Sequence, residues 1–285
     1  MSRNKNRTGG ASQPDTAVPP ALSQGAGDGG FSFVVPTEFV ELPSQGKFYP
    51  ENHPLHNHES IEIKQMTAKE EDLLTSRTLL KKGIAIDRVL ASLIVDKRIN
   101  PDHLLIGDRN AVLIAVRVSA YGNEYQTKVT CPACGASDKY EFDLNSANVY
   151  KGENIDTLDV TSNSDGTFTT LLPKTGLSVQ FRLLNGIDER NIMSGMKSDR
   201  KQNIHERGVT RQLKNFIVSV DGNSQPKVID YVVSNIPSID SRHLRMAYKL
   251  AAPNIDLTQV YLCDECGHSA EMEVPLTADF FWPDR

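Results

Sequence analysis

The sequence predicts an α+β fold. Three observations carry that prediction: apolar residues at helical spacing through the first half of the chain, paired extended stretches around two Cys-x-x-Cys-Gly units, and capping signatures that open helical segments between those stretches. Helical regions should therefore combine with β-hairpins, two of which carry the Cys-x-x-Cys units.

Taken in order, residues 1–30 are rich in Gly, Ser, Pro, Ala and Gln and hold almost nothing large and apolar. Such a segment cannot offset the entropy of ordering, so it reads as a flexible low-complexity tail. From Phe31 the character changes. Phe31-Ser-Phe-Val-Val and Thr37-Glu-Phe-Val-Glu-Leu alternate as strands do, and Pro43-Ser-Gln-Gly46 offers a turn with a return through Phe48-Tyr49. Ile61-Glu-Ile-Lys-Gln-Met66 alternates again. Thr67-Ala-Lys-Glu70 has the form of a capping box, so a helix is expected over 68–82, ending at Gly83. Ile86, Val89, Leu90, Leu93 and Ile94 then share one helical face. After Asn100-Pro101 a third helix is expected with Asp108 as N-cap and Val112, Ala115, Val116 and Ala120 on its packing side. Leu113, Ile114 and Val118 make it apolar nearly all round, which marks it as central.

Residues 123–144 read as two extended arms around Cys131-Pro-Ala-Cys134-Gly135, and 145–165 as polar and irregular. Phe168–Leu172 and Leu177–Leu184 suggest a hairpin across Lys174-Thr-Gly176, followed by helices near 187–199, 205–219, 226–235 and 239–250. The chain closes with arms around Cys263-Asp-Glu-Cys266-Gly267 and the aromatic Phe280-Phe281-Trp282. The organisation predicted is a tail (1–30), an α+β half carrying the first cysteine pair (31–150) and an α+β half carrying the second (151–285). A shift of 132 residues lays Cys131, Cys134, Gly135, Ser137, Glu141 and Leu144 on Cys263, Cys266, Gly267, Ser269, Glu273 and Leu276, so the two cysteine hairpins are pseudo-equivalent.

Composition narrows the function classes. A formal charge of −5 argues against broad nucleic-acid binding, whose affinity comes from basic residues displacing counterions. No stretch approaches the roughly 20 apolar residues of a membrane span, and Met1-Ser-Arg-Asn-Lys-Asn-Arg is not followed by the apolar segment of a signal peptide. These features lead to the expectation that the chain stays in the cytoplasm where it is made.

All four cysteines lie in the two Cys-x-x-Cys-Gly units. Two intervening residues let one tight turn aim both sulfurs at one ion, and the glycine permits the backbone that closes the turn. Together Cys131, Cys134, Cys263 and Cys266 are predicted to hold one structural Zn2+ per chain. Disulfides fit poorly with a chain lacking an export signal, and a redox pair belongs at a helix N-terminus rather than between extended arms. Cys134 and Cys263 are separated by 128 residues, far more than in a compact zinc ribbon. Closing such a loop costs about 4 kcal/mol, well below the roughly 10–16 kcal/mol apparent for structural zinc. The ion is therefore predicted to clamp the two halves, and four sulfur ligands leave no position for a reactive water.

Other clusters carry blander readings. His53, His56 and His58 sit in a polar, proline-containing stretch that suits an exposed loop better than a second metal site, and His268 reads as a neighbour of the zinc rather than a ligand. Lys197, Arg200, Lys201, Arg207, Arg211 and Lys214, with His205 among them, read first as a solvated face, then as a contact for an acidic protein, and last for nucleic acid. Phe280, Phe281 and Trp282 serve equally as core closure or as anchors in a partner's pocket. No phosphate-binding glycine loop or nucleophile elbow is present, and the chain is expected not to be an enzyme.

Several consecutive blocks are familiar: Val40-Glu-Leu-Pro-Ser-Gln-Gly-Lys-Phe-Tyr49, Ile61-Glu-Ile-Lys-Gln-Met-Thr-Ala-Lys-Glu-Glu71, Leu79-Leu-Lys-Lys-Gly-Ile-Ala-Ile-Asp87, Asp96-Lys-Arg-Ile-Asn100, Leu105-Ile-Gly-Asp-Arg-Asn110 and the Cys-Pro-x-Cys-Gly knuckle. In this order they resemble the T4-like bacteriophage baseplate protein family, densely over 37–150 and more loosely beyond. The resemblance implies a non-catalytic component of the central hub of a contractile tail's baseplate, located in the virion tail and in the host cytoplasm during assembly. Its partners would be other tail and baseplate proteins in a hetero-oligomeric assembly, with no membrane and no nucleic acid. Partner contacts are expected at Phe280, Phe281, Trp282, Arg200, Lys201, Arg207 and Arg211. The alternatives are a transient assembly factor for the hub and, from a different class, a zinc-ribbon nucleic-acid binder.

Overall fold

A computed structural model of the chain describes residues 23–24, 31–32, 35–274 and 278–281. Contacts along the backbone divide the chain into Met1–Pro36 and Thr37–Arg285. In the first unit, β1 (Ser23–Gln24) pairs antiparallel with β2 (Phe31–Ser32). The tail expected over 1–30 otherwise lies outside the described residues.

The second unit begins with β3 (Thr37–Glu41), whose antiparallel partner is β4 (Ser60–Lys64), with Val40 opposite Ile61. The expected return through Phe48-Tyr49 is not a strand. Residues 42–59 instead fold as a compact loop, closed where the Leu42 amide donates to Glu59 and the Asn57 amide to Gly46. Gly46 adopts a positive φ of 71°, and a Cβ there would collide with the backbone of Leu55 and His58. The loop closes on itself at a point where only glycine fits.

The capping box forms as the spacing predicts: Glu70 accepts from the Thr67 amide (3.1 Å) and hydroxyl (2.6 Å), and also from Ser92 (2.6 Å). The helix it opens is α1 (Ala68–Thr75), and the single helix expected to residue 82 breaks at Ser76, which is extended, before α2 (Arg77–Lys82). Two hydroxyl residues in succession weaken helical continuity there by competing for backbone groups; the Thr75 hydroxyl bonds the Glu71 carbonyl. Only α1 buries a large apolar residue, Leu74, so the break frees the exposed second segment to change direction. Gly83 ends it in the left-handed conformation.

Next, α3 (Ala85–Leu93) buries Val89, Leu90 and Leu93, as its spacing predicts. A 3₁₀ turn at Pro101–His103 leads into α4 (Ile106–Tyr121). The N-cap of α4 is Leu105; Asp108 lies inside the first turn, completely buried, and its carboxylate serves a different purpose described below. Val112 and Val116 are buried as expected, and α4 packs against β3 and the later strand Asn254–Asp256.

The chain continues through β5 (Glu124–Thr130), β6 (Ser137–Asp143), β7 (Asn148–Tyr150), β8 (Thr161–Ser162), β9 (Thr167–Leu171) and β10 (Ser178–Arg182). It then enters α5 (Gly186–Lys201), α6 (Gly208–Phe216), β11 (Ile217–Val220), α7 (Pro226–Asn235) and α8 (Ser238–Ala251). It ends in β12 (Asn254–Asp256), β13 (Thr258–Leu262), β14 (Ser269–Glu273) and a 3₁₀ turn at Ala278–Phe281. The polar stretch 145–165 is thus less irregular than expected, since it holds β7 and β8. The helix expected over 205–219 ends at Phe216, because Ile217-Val-Ser-Val220 is β-branched at three of four positions and buries Ile217 and Val220 beside β10.

One antiparallel sheet has the order β11-β10-β9-β8, and the other pairings are two-stranded. β7 pairs with β12 across roughly a hundred residues. Thr37–Arg285 is one compact unit, in which β7, ending at residue 150, pairs with β12 of the segment that follows. The core of this unit is lined by aromatics: Phe48 on Phe168, Phe168 stacked on Phe181 at 5.5 Å, Phe181 against Phe216, and Phe216 stacked on Tyr248 at 5.0 Å.

Candidate metal centre

Both cysteine hairpins are built alike. In β5–β6 the pairing runs from Glu124 opposite Asp143 to Thr130 opposite Ser137, and in β13–β14 from Thr258 opposite Glu273 to Leu262 opposite Ser269. At the first tip the Cys131 amide donates to Ala136 (2.8 Å) and the Gly135 amide to Cys131 (3.0 Å). At the second the Cys263 amide donates to His268 (2.9 Å) and the Gly267 amide to Cys263 (2.9 Å). Gly135 and Gly267 have φ of 74° and 69°, the left-handed turn that glycine adopts without strain. The tip pairing, the tip hydrogen bonds and the two glycines obey the 132-residue shift read from the sequence, while the ladder of β5–β6 runs two pairs further from the tip than that of β13–β14.

Packing brings the tips together. Tyr140 of β6 meets Tyr261 of β13 edge to face at 4.9 Å, and its hydroxyl donates to the Val260 carbonyl (3.2 Å). Gln259 makes both hydrogen bonds of its amide to the Asp143 backbone, donating at 2.7 Å and accepting at 3.2 Å. The four sulfurs consequently lie within 4.8 Å of one another, with Cys131–Cys266 and Cys134–Cys263 each at 3.8 Å. A tetrahedral ion with sulfur ligands at about 2.3 Å requires sulfur–sulfur separations of about 3.8 Å. The donor set and its spacing fit such an ion. The same separation is far beyond a disulfide bond of about 2.05 Å, and all four cysteines are free.

The backbone around the sulfurs favours negative charge. The Cys134 and Ala133 amides hold the Cys131 thiol low, and the Cys266 amide, with help from the Tyr261 hydroxyl, brings Cys263 down to about 6. The His268 amide acts in the same sense on Cys266, but burial and the neighbouring sulfurs outweigh it and push that thiol up to about 12. Cys134 is raised by the same balance against the Ala136 amide. Four adjacent sulfurs cannot all carry charge unaided; a divalent cation removes the conflict. Hydrogen bonding to Cys263, then burial, pushes the Tyr261 phenol up.

The other predicted residues fall elsewhere. His53 stacks on Tyr49 (4.4 Å) and accepts from the Leu55 amide, while His56 bonds the Tyr49 carbonyl, so the two imidazoles are occupied with the loop. Among the described residues the four cysteines are the only metal-ligating cluster. His268 contributes its backbone to the second tip. In the basic segment, Arg207 and Arg211 both grip the buried Asp199 at 2.8 Å, Arg200 pairs with Glu206, and Lys214 with Asp230 (2.7 Å). Lys197 and Lys201 are exposed. Four of the six cations of the cluster are thus paired with three carboxylates of the chain. Phe280 and Phe281 are buried, 4% and 3% exposed, and pack on each other, with Phe280 also against Tyr125, so both side chains belong to the core of the chain. Trp282 lies outside the described residues.

Two buried polar sites were not anticipated. Asp108 accepts from the Ser44 amide (3.0 Å), the Ser44 hydroxyl (2.6 Å) and the Tyr49 hydroxyl (2.7 Å), which itself accepts from the Leu105 amide. Arg117, 1% exposed, donates to the carbonyls of Phe280, Gly122 and Glu124. An arginine between Val116 and Val118, in the apolar run from Ala111 to Val118 of α4, was the available signal for the second. Nothing local marks the first.

Among the described residues no helix is long and apolar enough to cross a membrane. No curated protein and no solved structure matches the chain. One family model does, over residues 35–282, a span that holds both knuckles and nearly all of the structure above. The chain belongs to the family of T4 bacteriophage base plate proteins.

Proposed function

We propose that the chain is a non-catalytic structural subunit of the hub region of a contractile phage tail's baseplate, working through contacts with other tail proteins and stabilised by one zinc ion. The family match across residues 35–282 supports the baseplate role. The zinc reading rests on four sulfurs within 4.8 Å of one another, two pairs of them at the 3.8 Å of a tetrahedral site.

Cys131, Cys134, Cys263 and Cys266 would hold the ion. What it supplies is stability: it ties hairpins from distant parts of the chain, and its four positions are filled by sulfur. Quantitative mass spectrometry of purified tails tests membership. A fixed ratio of this chain to the other baseplate proteins is expected; its presence in infected cells but absence from finished tails would reject the structural role in favour of a transient assembly factor.

A further inference from the structure

A cleft of about 380 Å³ opens beside α4, over Ala111, Ile114 and Val118. One wall is β3, with Glu38 and Val40; the floor is Ile114 and Val118; the far wall includes Ala147 and Val149. No lysine or arginine lines it, and Glu41 adds a second carboxylate at the rim.

Two features are unusual for an idle surface. The Glu38 Oε1 atom is shielded from water and has no hydrogen-bond partner among the described residues, which is costly for a carboxylate. Beside it, β3 has β4 on one edge only. The Leu42 amide bonds Glu59, and antiparallel pairing alternates, so Val40 and Glu38 face β4 while the backbone groups of Thr37, Phe39 and Glu41 point outward. No backbone hydrogen bond reaches those three among the described residues, and Phe39 leaves 73% of its surface exposed on the same strand. Unpaired strand edges recruit extended chains.

We propose that this cleft takes an extended segment of a neighbouring tail protein, which adds as a strand along the outer edge of β3, sets a lysine or arginine on Glu38, and lays small apolar side chains over Ile114 and Val118. The charge of the cleft selects a basic segment; its depth and apolar floor select small side chains on that segment's inner face. The proposal rests on reading the chain as a protein-contact subunit, and its test is separate from the census of tails: the chain can be a tail component whose cleft binds nothing.

The probe is the capped peptide Thr-Val-Thr-Arg-Thr-Val-Thr, which places Val, Arg and Val on one face, with a partner peptide carrying Glu at the centre. Each is titrated into the full chain, with methyl resonances of Ile114 and Val118 followed by NMR. The arginine peptide is expected to bind and shift those methyls. Glu38→Gln should weaken it about tenfold, the loss of one charge-assisted pair, and Val149→Lys, a change at a half-exposed site, should weaken it as well. No binding, equal binding of the glutamate peptide, unchanged methyls on binding, or methyl shifts that appear only with self-association of the chain would each overturn the proposal.

Discussion

Asp108 shows how much one buried side chain organises. It joins the 42–59 loop to α4 through the Ser44 amide, the Ser44 hydroxyl and the Tyr49 hydroxyl. Burial pushes its carboxyl up, and the three hydrogen bonds work against that. Asp108→Ala strands those donors in the interior, and a loss of about 3 kcal/mol is expected in urea unfolding. Asp199 is the opposite case, a carboxylate held well below the usual range by Arg207 first and then Arg211. A folded-state value below the unfolded one gives stability that is present above the unfolded carboxyl range and lost as pH falls through the folded value. Asp199→Asn should therefore lower the urea midpoint at pH 7, with the gap from wild type narrowing once pH drops below about 4. A gap independent of pH would contradict the ion-pair account.

At the scale of elements, α4 is seated so closely that its first turn tolerates no side chain at Gly107. A Cβ there would run into the Pro253 carbonyl just before β12. Gly107→Ala should cost about 1–3 kcal/mol through overpacking, despite alanine's better helix propensity, as measured by thermal unfolding. Elements whose signals are local were legible: α7 begins at Pro226, a residue suited to a first helical turn, and α3 shows its buried face in Val89, Leu90 and Leu93. The break at Ser76 and the strand Ile217–Val220 were not, because a helical period runs smoothly into both and only tertiary packing separates them. The pairing of β3 with β4 was missed for a related reason. A turn sequence at Pro43–Gly46 suggests a short return, but the loop's closure depends on Gly46 meeting Leu55 and His58.

For the whole molecule, the cysteine site was readable because its chemistry lives in short spacing repeated twice, while the Asp108 network was not, since its partners lie 59 and 64 positions away along the chain. The family match and the sulfur geometry converge on a body whose two knuckles are far apart in sequence and adjacent in space. If one ion joins them, the hairpins β5–β6 and β13–β14 should behave as one cooperative unit. Hydrogen exchange on the full chain before and after chelation, with zinc content read on the same sample, tests this most directly. The account predicts one zinc per chain and, on its removal, simultaneous loss of amide protection over Glu124–Asp143 and Thr258–Glu273; a chain without bound metal, or hairpins that keep their protection or lose it separately, would contradict it.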